Sequence, residues 1–165
     1  MAYLLDTNVF IEARNRHYGF DFCPAFWEWL ILKNAEGILY SIEQVSDEIK
    51  ADDTDLHAWK TALPKGFFLA TNANHTEAFG KVSTWAQGQK YTDAAKDDFL
   101  SKADYFLVGH ALQGNHVVVT HERPSNSVKM IKIPDACVGL DVKYVSTYEM
   151  LRNEKAKFVL PHRVV

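Results

Sequence analysis

The run His116-Val117-Val118-Val119-Thr120 constrains the fold of this chain more than any other stretch. Three consecutive β-branched residues favour extended backbone. No polar residue alternates among them, so neither face of such a strand can meet water. A strand buried on both faces belongs to a parallel sheet with helices packed on each side. The remaining pattern agrees. Tyr3–Leu5, Gly37–Tyr40 and Lys143–Ser146 read as short strands, and Phe67–Ala70 as a strand or packed connection. Between them lie helical patterns from about Val9, at Ala25–Asn34, Ile42–Lys50, Asp55–Leu63, Thr76–Gln87 and Thr147–Arg152. The longest periodic segment, Asp93 to about Leu112, is predicted as one helix ending at Gln113-Gly114-Asn115. The 165 residues suit one domain spanning 1–165, with the tail from about residue 155 unassigned.

In a parallel sheet of this kind ligands bind off the carboxyl ends of the strands, where strand order switches. Two predicted strands end in acids: Leu4-Leu5-Asp6-Thr7-Asn8 and Val118-Val119-Thr120-His121-Glu122. If both strands run the same way, Asp6 and Glu122 share one edge. Asp6, Thr7 and Asn8 are also all competent helix caps, so a purely structural role stays open for them. Two helical acids join the set. At 100° per residue, Glu48 lies at the border of the Ile42, Val45, Ile49 stripe, while Asp47 points to the solvent side. Asp104 borders the face formed by Phe99, Leu100, Ala103, Phe106 and Leu107. Asp97 is a further candidate two turns earlier, should the helix present a different register.

Acids at such borders carry a desolvation cost, and several together repel. Mg²⁺ or Mn²⁺ would resolve both problems, because hard cations take oxygen ligands. A site of this chemistry can bind phosphate oxygens and activate water. The net charge of −3 gives no global attraction to a polyanion, so a polyanionic partner must be held locally or through bound cations.

These segments resemble the four acidic motifs of PIN-domain nucleases: LLDTN, VSDEI, ADYFLVGHAL and VVVTHE, in the family's order and with its rough spacing. KIPDACVGLDVKYVSTYEML is also similar to the closing segment of a bacterial PIN-like family. The resemblance implies an α/β/α sandwich with one or two Mg²⁺ or Mn²⁺ ions, cleaving RNA as an endoribonuclease. It further implies a bacterial toxin, held by a cognate antitoxin and often dimeric. Asp6, Glu48, Asp104 and Glu122 would be the catalytic, metal-binding acids, with Asn8 and Thr120 orienting acids or water. One position departs from the pattern: the family usually places Asp where this chain has Glu122. That departure keeps a non-catalytic PIN-like RNA- or protein-binding module as the alternative. A phosphatase with Asp6 as covalent nucleophile is disfavoured, because the second Asp such enzymes use is replaced by Asn8.

Other segments add less. Arg-Pro-Ser-Asn-Ser-Val-Lys-Met-Ile-Lys after Glu122 offers Arg123, Lys129 and Lys132 to RNA phosphates, or is a solvated loop. His110, His116 and His121 fit no common structural-zinc spacing. Phe26, Trp27 and Trp29 read as core or interface. No phosphate-binding glycine loop is present. Cys23 and Cys137 read as free thiols. No apolar run approaches the ~20 residues of a membrane span, and no leader pattern is visible, so a cytoplasmic protein is expected.

Overall fold

A computed structural model describes residues 1–161. In chain order it contains β1 (Tyr3–Leu5), α1 (Thr7–Glu12), α2 (Pro24–Ala35), β2 (Leu39–Ile42), α3 (Glu43–Glu48), α4 (Thr54–Thr61) and β3 (Phe68–Leu69). There follow α5 (Thr76–Gly88), α6 (Asp93–Ser101), α7 (Ala103–Gly114), β4 (Val117–Val119), α8 (Ile133–Gly139), β5 (Tyr144–Val145) and α9 (Thr147–Asn153). A π-helical turn, Ala13–His17, extends α1, and a 3₁₀ turn, Ala73–His75, precedes α5.

The five strands form one parallel sheet in the order β3-β2-β1-β4-β5. The chain steps outward from β1 through β2 to β3, then returns to the other side of β1 for β4 and β5. Right-handed crossovers in opposite directions place helices on opposite faces, giving a three-layer α/β/α sandwich. Leu4, Leu5, Val118 and Val119 are fully buried, as the apolar run required. Burial of each such side chain contributes ~1.5–3 kcal/mol. Leu107 and Val108 of α7 and Val9 and Phe10 of α1 belong to the same core. Gly109 of α7 lies directly beneath the Phe79 ring of α5; a Cβ there would overlap the ring, so the glycine sets how closely these helices pack.

The predicted helix from Asp93 to Leu112 is two helices, α6 and α7, separated at Lys102, whose backbone is extended (φ −104°, ψ 168°). Neither Gly nor Pro marks the break. Thr92 caps α6 through its Oγ1, and Asn115 closes α7 in the left-handed conformation. Ile42 ends β2 rather than opening the next helix, and α8 begins at Ile133 with Pro134 in its first turn.

Both cysteines are free thiols. Phe26 and Trp27 are core residues, and Trp29 packs against the core. Phe158 of the tail meets the rings of Tyr18 and Phe26 at 6.0 and 6.2 Å. The rest of the unassigned tail, from residue 162, lies outside the described residues. No helix among the described residues is long and apolar enough to cross a membrane.

Candidate functional site

Strand order reverses at the junction of β1 and β4, and the residues that follow these two strands form the crevice beyond it. In register, Leu5 pairs with Val119, and the Asp6 N–H donates to the Val119 carbonyl at 3.0 Å. Asp6 and Thr120 therefore emerge side by side. The Thr120 hydroxyl donates to Asp6 Oδ2 at 3.0 Å, and Thr120 Oγ1 itself accepts the Glu122 N–H at 3.1 Å. Thr120 thus fixes both the Asp6 carboxylate and the turn that carries Glu122.

Asp6 occupies the N-cap position of α1, yet its side chain makes no capping hydrogen bond. The capping alternative therefore does not account for this carboxylate. It is 3% exposed, and burial, with Asp104 and Glu122 nearby, pushes it up to about 8. Hydrogen bonds from Thr120 and the Thr7 backbone offset only part of that.

The break at Lys102 places Asp104 in the first turn of α7, where the helix N-terminus favours an acid. Burial, with the charges of Glu122 and Glu48, still pushes Asp104 up to about 7; Lys102 works weakly the other way. The break also exposes the Ala103 N–H, which donates to Glu48 Oε1 at 3.3 Å. The other Glu48 oxygen, Oε2, accepts the Thr7 hydroxyl. Glu48 is therefore tied to both the β1 end and the α7 start. In the sequence Thr7 reads as a cap beside Asp6; its bond to Glu48, 41 positions away, follows from the fold.

Glu122 is held differently from the other acids. Its Oε2 accepts the Ile133 N–H at 2.8 Å, and Lys132 Nζ lies 3.8 Å from Oε1. The α8 start thus anchors the one position that departs from the PIN pattern. Lys132 faces Glu122, whereas Arg123 and Lys129 are exposed on the loop. Asn8 is exposed and lines the crevice beside Glu122. Asp97 is exposed on α6, away from the buried helix face.

The histidines do not form a zinc set. His110 meets Thr71 at 3.2 Å, His116 accepts the Ala2 N–H at 3.1 Å, and His121 meets Thr147 at 3.1 Å. Among the described residues no three His, Cys, Asp or Glu side chains form a ready-made metal cluster. The donor set around Asp6 is nonetheless all oxygen, buried or half-buried and mutually repelling, which fits Mg²⁺ or Mn²⁺. Such ions keep several waters and can reach carboxylates through them.

Fold and site together define an α/β/α protein with an acidic centre at its topological switch point. The chain belongs to the family described as Domain of unknown function (DUF4411), whose model matches residues 3–158. Comparison with curated proteins and with solved structures gives no match.

Proposed function

We propose that this protein is a Mg²⁺- or Mn²⁺-dependent endoribonuclease of the PIN type. The observation that carries this reading is the mutual proximity of Asp6, Asp104, Glu48 and Glu122, from four separate segments: Asp6 feels the charges of Asp104 and Glu122, and Asp104 those of Glu122 and Glu48. Asp6 and Asp104 would hold the ion, Glu48 and Glu122 its water shell. The ion would supply Lewis acidity for water attack on a phosphodiester. Burial pushes Asp6 and Asp104 toward their protonated forms in the metal-free protein, and holding an ion would require their ionised oxygens. Thr120 holds the Asp6 carboxylate in one orientation throughout. Arg123 and Lys129 are available to substrate phosphates. The PIN resemblance extends the reading to a toxin inhibited by an antitoxin, acting as a cytoplasmic homodimer.

The test is cleavage of single-stranded RNA in Mn²⁺. Activity should vanish with chelator and in both Asp6→Asn and Asp104→Asn. Unchanged cleavage in either variant removes the metal mechanism.

One observation favours the second reading, a non-catalytic PIN-like binding module: the Glu122 carboxylate is already engaged by Ile133 and Lys132. Calorimetry separates the two. No heat with Mn²⁺, together with no RNA cleavage, selects the module.

A further inference from the structure

Beyond Glu122 the crevice opens into a cleft of about 330 Å³ lined by Asn8, Glu12, His17, His121 and Glu122. This is near the lower end of the range for small-molecule sites. Two of its walls are imidazoles from distant parts of the chain. His17 ends the π-helical turn after α1, and His121 follows β4. A π-helical turn carries an extra residue per turn and shifts the side chains beyond it, and such turns often mark functional sites. The two rings stand 5.7 Å apart at 42°. Tyr148 of α9 packs edge-on against both, at 5.7 Å from His17 and 5.9 Å from His121. Its hydroxyl lies 3.2 Å from His17 Nε2, and Thr147 Oγ1 lies 3.1 Å from His121 Nε2. Both imidazoles are thus braced from behind by α9, with the cleft in front.

We propose that this cleft is a subsite for an unpaired nucleobase, seated on the imidazoles of His17 and His121 with Tyr148 as a positioning residue. The proposal rests on the ribonuclease reading for the identity of the polymer, and names its class: single-stranded RNA. Every base presents a π face, so ring stacking binds single strands without strict sequence preference. A paired base is already stacked within its helix and cannot enter. The 5.7 Å between the rings is less than the roughly 7 Å of two contact distances. The base therefore lies over the imidazoles, on their cleft side, rather than between them. Asn8 offers both donor and acceptor atoms to its edge. Stacking matters here because, apart from the exposed loop residues Arg123 and Lys129, the cations of this region are committed. Lys132 faces Glu122, Lys102 pairs with Asp98, and Arg14 pairs with Asp53 and Asp55. Phosphate neutralisation alone is a weak grip for this protein.

The test is fluorescence anisotropy of a 5′-labelled hexa-adenosine RNA in Ca²⁺, beside a hexamer of the same backbone lacking its bases. The full-length protein should bind the intact hexamer and hold the abasic one far more weakly. His17→Ala and His121→Ala should each weaken the intact hexamer by about 5- to 100-fold, the range for loss of a stacked ring. His17→Phe should restore binding to within about threefold, since a π face is what stacking needs. Tyr148→Ala should give a smaller loss. Equal binding of both hexamers by the wild type, no binding of either, or wild-type affinity in both histidine variants would overturn the subsite. Thermal melts and His17→Phe guard against misfolding. Mn²⁺-dependent cleavage, followed in parallel, keeps the two ideas apart. Cleavage with unchanged KM in His17→Ala and His121→Ala defeats the subsite and spares the nuclease. Ring-dependent binding without cleavage does the reverse.

Discussion

Helix α7 carries two polar groups out of water, and they are treated in opposite ways. His110 is 2% exposed and has partners: Thr71 at 3.2 Å and the His75 ring at 4.0 Å. Burial pushes it down to about 4, so it stays neutral and costs little. Asp104, six positions earlier, is pushed up to about 7 by burial and then by the carboxylates of Glu122 and Glu48. A buried polar group whose neighbours satisfy it serves the fold. One whose neighbours repel it destabilises the empty protein and is a candidate for binding or chemistry. Asp104 marks the site end of the helix; His110 marks its structural end.

The sharpest way to break this contrast is to neutralise each in turn. Asp104→Asn should lower Mn²⁺-dependent RNA cleavage by at least ~100-fold. The same change should raise the metal-free melting temperature at pH 8 by ~2–4 °C, because a repelled charge is gone. A melt that falls by several degrees would mean that Asp104 is structural. His110→Ala should do the opposite. It leaves Thr71 short of a partner and opens a gap beside His75, so urea denaturation should show a loss of ~2–3 kcal/mol. Cleavage per folded molecule should stay within about threefold.

The pH dependence of stability offers a finer cut. Asp6 and Asp104 are raised from 3.8 to about 8 and about 7 in the folded chain. Between those limits the native state holds more protons than the unfolded state, so their contribution is full below pH ~4 and is lost as pH rises through 7 to 8. His110 is lowered from 6.5 to about 4, so its effect has the other sign: stability falls as pH drops through that range. In chelator, melting temperature should therefore decline from pH 6.5 to 8, and Asp6→Asn should flatten the decline. Added Mn²⁺ should stabilise most at the alkaline end, where no protons need be displaced. A flat profile in the wild type would deny that burial and mutual repulsion raise these acids in the folded chain. The smallest effect is expected at Lys132→Ala. Its 3.8 Å contact with Glu122 is loose and partly exposed, so stability should move by less than ~0.5 kcal/mol.

Much of the fold could be read from local pattern. Val117–Val119 required burial on both faces, and the strand-ending acids Asp6 and Glu122 fell on one edge once the strands were parallel. The break at Lys102 could not be read, because Ser101-Lys102 contains no helix breaker and the apolar period runs through it. What ends α6 there is tertiary. The Ala103 N–H serves Glu48 instead of a carbonyl one turn back, and Asp104 is aimed at the crevice rather than along a helix side. Thr7, His17 and Tyr148 were also out of reach. Their partners, Glu48, His121 and His17, lie 41, 104 and 131 positions away (48 − 7, 121 − 17 and 148 − 17), and no period or motif links them.

The sequence by itself determined the parallel sheet and the edge at which Asp6 and Glu122 lie. Hydrophobic periodicity and strand ends are local properties, and burial acts on each segment in the same way. Tertiary structure alone decided which carboxylates are compensated. Glu48 is tied to Thr7 and Ala103, and Glu122 to Ile133 and Lys132, while burial and neighbouring acids push Asp6 and Asp104 toward their protonated forms. Charge compensation depends on distances between segments far apart in the chain. It is that imbalance, rather than the presence of four acids, that makes the crevice beyond β1 and β4 the place to look for chemistry.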